Sequence, residues 1–477
     1  MEQYLEYFYQ ISQIPHGSGN TKEISDFVMS FAKEQNLKYR QDAANNIIII
    51  KGASEGFQDH PGVILQGHLD MVAVKEPEIA FDFTKDPLQL TTEGDFLKAK
   101  GTSLGADNGI AAAMMLAVLA DDSLCHPRLE CVFTTDEEIG MLGADAMDMS
   151  DLESRYMLNL DSDEEGQFVI SCAGGARCRI HLPTSWQQVN GKQLRLELTG
   201  LTGGHSGMEI NKNRGNGILL IGELLRKLQA RQPLCIAELH GGFADNVIPS
   251  SCCVTLVAAQ EEGWEPLLMQ LSKEILSVYQ ETEPEISLQW YWKQSAAETA
   301  CVEPEVSGRL LWLLENIPNG VQAMSSEIPG MVETSANLGT IRLTKAGFEL
   351  VTAPRSALDE ANEQLIRAIT GLTEEAGGEI HITGEYPGWP VVKDSLLQKI
   401  VTEAYEELTG EKAVVKAIHA GLECGIFSRR IPGLEIISFG PNLYDIHSAK
   451  ERMSLSSAER TWQLLIEILK RIQSLNI

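Results

Sequence analysis

Glu137 and Glu138 stand side by side in the run Thr134-Thr135-Asp136-Glu137-Glu138-Ile139-Gly140, which closes an apolar strand-like segment, Leu129 to Phe133. Two carboxylates at the mouth of a buried strand repel each other and lose hydration, a cost that a metal cation offsets most directly. Alone, the run also reads as a solvated acidic loop. Other polar groups, however, follow other strand-like runs. Gln66-Gly67-His68-Leu69-Asp70 ends Val63-Ile64-Leu65, and Asn159-Leu160-Asp161 ends the apolar stretch begun at Tyr156. Gly105-Ala106-Asp107-Asn108-Gly109 precedes an Ala/Met-rich stretch, and the segment from Gly440 to His447 follows Leu434 to Phe439. Two histidines and several carboxylates gathered at one sheet edge suit zinc, or a harder ion such as Mn²⁺ or Co²⁺. His68 and Asp70 alternate with Leu69, so extended geometry puts both on one face. Asp70 can then accept from the second ring nitrogen of His68 and fix its tautomer. Singly, Asp107 reads as a helix N-cap and His447 as a loop residue; their joint occurrence after successive strands favours ligation.

The elements that must hold these groups are short apolar runs separated by helices. Thr21 precedes an amphipathic pattern with Ile24, Phe27, Val28 and Phe31 at helical spacing, and Ile110 to Leu119 reads as a buried helix. Asn46 to Ile50, Val63 to Leu65, Leu129 to Phe133 and Tyr156 to Leu160 read as strands. This predicts an α/β fold, a mostly parallel sheet with helices on both faces, whose ligands lie at the carboxyl ends of its strands. From 187 to 386 the pattern becomes strand, helix, strand, strand, helix, strand and then a similar set again, an α+β insertion with the look of an internal duplication. After the turn chemistry of Tyr386-Pro387-Gly388-Trp389-Pro390, the α/β style resumes, ending in a helix from Ala458 to Leu475. The expected division is a catalytic domain of residues 1–186 and 387–477, interrupted by a lid of residues 187–386.

At 477 residues the chain exceeds one ordinary core, and 43% hydrophobic with 22% charged residues describes a globular protein. A formal charge of −29 argues against a nucleic-acid backbone or an anionic membrane as partner. The N-terminus lacks a secretion pattern and no apolar run reaches membrane-spanning length, so a cytoplasmic location is expected. Nine cysteines without framework spacing or a CxxC pair read as reduced thiols.

The runs Gln66 to Val72, Gly105 to Gly109, Thr135 to Gly140, Asn159 to Ser162 and His447-Ser448, in this order, resemble those of the aminoacyl-histidine dipeptidases. These form the carnosinase-like branch of the dizinc aminoacylase and carboxypeptidase family. His419-Ala420-Gly421-Leu422-Glu423-Cys424-Gly425 and Thr202-Gly203-Gly204-His205-Ser206-Gly207 favour that branch. The resemblance spans essentially the whole chain. It implies that Asp107 bridges two divalent ions, zinc with Co²⁺ or Mn²⁺ as alternatives. His68 and Asp161 complete one site, Glu138 and His447 the other, and Glu137 is the general base. Two ions about 3.5–4 Å apart can share a water and lower its pKa towards neutrality. The reaction implied is hydrolysis of dipeptides, Xaa-His and β-alanyl-histidine included. One departure is Ala449, which stands where the family usually has Pro after His-Ser.

The same resemblance gives His205 an oxyanion-stabilising role and makes Asn246 a substrate contact. Arg355 is a candidate clamp for the dipeptide carboxylate, or an exposed helix-start arginine. Glu423 either receives the substrate's amino end or is structural. Lid closure is expected near Trp186 and Tyr386–Pro390, and relatives that form homodimers admit one here. The rival readings are an N-acyl amino acid deacylase or carboxypeptidase with the same metals, and a non-catalytic binding homologue; the latter would have lost Glu137 or a ligand.

Overall fold

The computed structural model describes residues 2–232, 234–293 and 298–474. These divide into two compact units: residues 1–172, 389–417 and 422–477 form the first, and residues 173–388 and 418–421 the second.

Among the described residues, the first unit is built on an eight-stranded sheet. Its centre is parallel: Leu129–Thr134, Val63–His68, Tyr156–Asn159 and Glu435–Ser438 lie side by side. These are the apolar runs, buried throughout or nearly so, as strands covered on both faces must be. The flanks depart from the expected parallel order. Ile47–Lys51 runs antiparallel to Leu129–Thr134, and Gln167–Cys172 antiparallel to Glu435–Ser438. Register brings the parallel strands to an end at one level, with His68 opposite Thr134 and Gln66 opposite Asn159.

Helix Ala106–Ala120 packs directly on Val63–His68 and is buried along almost its whole length, which its small Ala and slim Met side chains permit. A Cβ at Gly67 would strike Asn108 Oδ1 and Ala111 Cβ, so glycine is what allows the approach. Thr21 occupies the N-cap position of helix Lys22–Glu34, but its side chain makes no capping bond and Phe27 is only partly buried. His447 does not follow the main sheet directly. It sits in the loop of a hairpin, Leu443–Tyr444 with Arg452–Ser454, that joins Phe96–Ala99 in a separate four-stranded sheet.

Among the described residues, the second unit carries a nine-stranded antiparallel sheet. Its first set of strands is Lys192–Thr199, Ile236–Gly241, Cys252–Ala258 and Ser287–Lys293, lying in the order fourth, first, third, second. The other set, Gly174–Pro183, Val332–Leu343, Gly347–Ser356 and Glu379–Tyr386, lies in the same order. The sets meet through their second strands, His240 opposite Arg342 and Gly241 opposite Ile341. Strand, helix, strand, strand, helix, strand is thus present twice, each time as a split βαβ arrangement. The copies are nested rather than tandem, because Gly174–Pro183 precedes the whole first set. That strand also corrects the expected boundary at 186. It is hydrogen-bonded between Gly347–Ser356 and Glu379–Tyr386, so the chain enters the second unit at Ala173. The exit at Gly388 falls inside the Tyr386–Pro390 turn.

Lys51 ends its strand beneath the C-terminus of helix Ala106–Ala120 and donates to the carbonyls of Val118, Leu119 and Asp121 at 3.3, 3.1 and 3.0 Å. A buried cation there answers the helix dipole and orphan carbonyls. Lys51→Met is expected to lower the free energy of unfolding by about 1–3 kcal/mol. Urea denaturation measures this, and wild-type stability in the variant would exclude the capping role.

Candidate metal centre and active site

Five side chains converge at the carboxyl ends of the parallel strands. His68 ends its strand, Glu138 follows Leu129–Thr134, Asp161 follows Tyr156–Asn159, Asp107 opens the buried helix and His447 comes from the hairpin loop. Asp107 stands between the two imidazoles. Its Oδ1 is 3.2 Å from His68 Nε2 and its Oδ2 3.1 Å from His447 Nε2. Asp161 Oδ1 lies 3.5 Å from His68 Nε2, and Glu138 Oε1 3.1 Å from His447 Nε2. The cluster therefore falls into two triads sharing one carboxylate.

The donor set fits two divalent ions. Tetrahedral ligands about 2.0–2.1 Å from a zinc ion lie roughly 3.3 Å from one another, which is the spacing of these atoms. His68, Asp107 and Glu138 also offer ligand atoms within 4.8 Å of one another. Glu138 Oε1 is buried and makes no hydrogen bond of proper geometry, although His447 is beside it. Among the described residues no lysine or arginine pairs with Asp107, Glu138 or Asp161. The hydrogen bond to Asp107 and the adjacent Glu138 carboxylate push the His447 imidazole up to about 10, the mark of a site short of positive charge.

Glu137 differs from its neighbour. It forms an ion pair with neither imidazole, and burial pushes its carboxyl well above the usual range; His68 opposes this, while Asp161, Glu423 and Glu138 add to it. Asp70 sets the difference up. Its Oδ1 accepts the backbone N–H of Glu137 at 3.1 Å, and its Oδ2 accepts that of Glu138 at 3.3 Å and the Ser18 hydroxyl at 2.8 Å. With the carboxylate so engaged, His68 Nδ1 finds its closer acceptor in the Asp70 backbone carbonyl, at 2.9 Å against 3.5 Å for the carboxylate. The tautomer is fixed as expected, but chiefly by the main chain. Burial raises the Asp70 carboxyl, and the His68 ring, Ser18 and the Glu137 amide outweigh it, leaving the group ionised well into acid.

Glu423 is fully buried below the cluster. Its Oε2 accepts Gln66 Nε2 at 2.6 Å and Thr134 Oγ1 at 2.7 Å, and Asn159 Nδ2 donates to Gln66 Oε1 at 2.5 Å. This network ties three parallel strand ends together. Burial lifts the Glu423 carboxyl to about 8.

The remaining candidates, His205, Asn246 and Arg355, lie in the second unit. His205 Nδ1 accepts the N–H groups of Gly207 and Met208 at 3.2 and 3.1 Å, which places the ring proton on Nε2. Burial, then the charge of Arg355, hold this imidazole below its ordinary value and so neutral. Asn246 is adjacent, its carbonyl accepting Ser206 N–H at 2.9 Å, with an exposed side chain. Arg355 is not a helix-start residue: it lies in strand Gly347–Ser356, donating from Nη1 to Tyr386 Oη at 2.8 Å while Nε is buried without a partner. His419 joins this group, 2.7 Å from Ser335 Oγ through Nε2 and pushed to about 4 by burial, Arg355 and His205.

The model of Peptidase family M20/M25/M40 matches residues 64–471. The chain belongs to this family. It is 34% identical over 473 residues to the cytosol non-specific dipeptidase of Escherichia coli (strain K12), covering 98% of this chain and 96% of that one. The crystal structure of aminoacylhistidine dipeptidase from Vibrio alginolyticus matches with a TM-score of 0.93 at 33% identity, covering 98% and 96% of the two chains. Aminopeptidase PepT from Bacillus cereus, at 14% identity, a TM-score of 0.57 and 99% and 98% coverage, shares the fold alone.

In this M20/M25/M40 chain, several supporting residues escaped the sequence reading. Asn108 accepts the His68 N–H at 3.1 Å and donates to the Leu160 carbonyl at 2.8 Å, joining two ligand-bearing strand ends. Only its position beside Asp107 could have signalled this. Asn159 and Tyr386 stood in runs quoted for other reasons, and Ser335 carried no local signal. Asp70→Asn is expected to lower metal affinity by about 10–100-fold, read by titrating the metal-free protein; unchanged affinity would exclude the orienting role.

Proposed function

We propose that this chain is a metal-dependent dipeptidase of broad range, with Xaa-His dipeptides such as β-alanyl-histidine among its substrates. The observation that carries the reading is the pair of triads sharing Asp107, with Glu137 beside them and outside both. The names of the two relatives at 34% and 33% identity, one non-specific and one aminoacylhistidine-directed, support a broad range that includes histidine at the second position. The name of the first also supports a cytosolic setting.

His68, Asp107 and Asp161 would hold one divalent ion, and Asp107, Glu138 and His447 the other, with zinc the first candidate for both. When bound, such ions acidify water and polarise a carbonyl oxygen. Glu137, kept apart from the ligands by the Asp70-braced turn, takes a proton from the attacking water and returns it to the leaving nitrogen. Its raised pKa, set chiefly by burial, suits a group that must both accept and release a proton. His205, neutral with Nε2–H free to donate, supplies a hydrogen bond to the developing oxyanion, and Asn246 a neighbouring polar contact. The Arg355 guanidinium, with a buried Nε in want of an acceptor, matches the terminal carboxylate that distinguishes a dipeptide from an amide. Glu423 takes the structural of its two roles, since its hydrogen bonds all serve the strand ends.

Release of histidine from β-alanyl-histidine, compared with alanyl-alanine and an N-acyl amino acid, tests the reading with and without a chelator. Chelator-sensitive cleavage of both dipeptides is expected. Cleavage of the acyl amino acid alone would make the chain a deacylase, and no cleavage at all a binding homologue. Glu137→Gln should lose at least about a hundredfold in kcat while still binding two metal ions; retained turnover would remove Glu137 as the base. Arg355→Ala should raise KM for dipeptides and leave dipeptide amides unaffected, and an equal effect on both would remove the clamp.

A further inference from the structure

Glu451 makes a connection that neither the ligand set nor the proposed chemistry uses. Its side chain is 3% exposed, and each carboxylate oxygen accepts two backbone N–H groups. Oε2 takes those of Leu104 at 2.7 Å and Gly105 at 3.0 Å; Oε1 takes those of Ala106 at 2.9 Å and Asp107 at 3.3 Å. All four donors belong to the turn that delivers Asp107 into the cluster, a backbone nest of the kind that anions fill. Here the anion is the chain's own side chain, from 344 residues further on.

The other end of the connection is the His447 loop. Tyr444 pairs with Arg452, so residues 445–451 form the hairpin loop and Glu451 is its last residue, beside a strand paired to Phe96–Ala99. His447 has little else to hold it. Its side chain is 49% exposed and its backbone is left-handed at φ +60°, as is that of Asp445 at φ +53°. Bonds within the loop shape it: Ser448 Oγ to the Asp445 carbonyl at 2.6 Å, and the ion pair of Arg452 with Asp445. They do not fix its distance from Asp107. Glu451 does, by gripping the turn that carries Asp107.

We propose that Glu451 is a positioning residue that sets the separation of Asp107 and His447, and thereby the affinity of the metal site formed by Asp107, Glu138 and His447. The other site, formed by His68, Asp107 and Asp161, takes its remaining ligands from strand ends that Gln66, Asn108 and Asn159 already brace, and is largely independent of Glu451. This rests on the dimetal reading above but not on the nature of the substrate.

Titration of metal-free protein with Co²⁺, followed by its visible absorption, tests the proposal. Wild type should take up two ions. In Glu451→Gln an amide NH₂ replaces one acceptor and faces two N–H donors. One ion should then bind within about threefold of wild type and the other at least about tenfold more weakly. Excess Co²⁺ should restore kcat to within about twofold, with KM unchanged. Equal weakening of both ions, or two wild-type affinities, overturns the proposal. Should Glu451→Gln not fold, Glu451→Asp, which keeps the charge but loses one methylene of reach, is titrated instead, and the same outcomes support or overturn the proposal. Failure of both variants to fold assigns Glu451 a purely structural role and also overturns it. A wild type that binds two Co²⁺ ions yet cleaves no dipeptide defeats the functional proposal alone; one that binds fewer than two defeats both.

Discussion

Asp107, Glu138 and Asp161 bring three carboxylates to one pocket where only two imidazoles face them, and Glu137 adds a fourth acid. Two like charges about 4 Å apart repel by about 4 kcal/mol at an effective dielectric near 20. No packing of these side chains alone relieves that, so the protein must impose the arrangement through groups that are cheap to order. The main chain does much of this work. The Asp107 turn is gripped through four of its own amides, and the Glu137–Glu138 turn through two amides on Asp70. Polar side chains beneath the cluster, Gln66, Thr134, Asn159 and Glu423, bond one another rather than the ligands. The strain of crowded charge is therefore held by rigid elements, leaving the ligating atoms unspent.

The separation of Glu137 from Glu138 follows from the same arrangement. Neighbours in an extended strand point to opposite sides, but these two lie in a turn, where direction depends on how the main chain is pinned. Asp136 at φ +54° and the bond from Gly19 N–H to its carboxylate at 2.7 Å start the turn. The Glu137 carbonyl, accepting from Gly140 and Met141, closes it. Glu138 is left against His447, and Glu137 forms an ion pair with neither imidazole. On the proposed function, one of the repelling pair would go to metal, while the other, with its raised proton affinity, would be left for acid–base chemistry.

Much of this was legible in the chain. The parallel strands were marked by continuous apolar runs, and four of the five converging side chains followed one of them or opened the buried helix, so residue order and resemblance could name them as candidates together with His447 and Glu137. What was hidden depended on distant pairing. The hairpin that carries His447 has strands of two and three residues, too short to show a period. Glu451 looks like one more exposed acid in Ala449-Lys450-Glu451-Arg452 until four amides from elsewhere surround it. Gly174–Pro183 alternates buried and exposed residues as a half-covered strand should. Its partners, however, lie beyond residue 346, so sequence order assigned it to the first domain. Arg355 read equally as a carboxylate clamp or as an exposed helix-start arginine; the strand Gly347–Ser356 runs through it and removes the second reading.

The nested duplication bears on how the second unit evolved its chemistry. Two copies of one split βαβ unit with the same strand order ordinarily offer two equivalent sets of positions. Here they have diverged: His205 and Asn246 come from connections of the inner copy, Arg355 from the third strand of the outer copy, and Tyr386 from its fourth. His419 comes from neither, since residues 418–421 are a short excursion of the segment that otherwise builds the first unit. Three chain segments remote in sequence thus supply one group of imidazoles and a guanidinium, with Arg355 depressing the basicity of both rings. A neutral imidazole can donate from one nitrogen only, and the amides of Gly207 and Met208 decide which one in His205. The function of that group therefore rests on the turn as much as on the histidine.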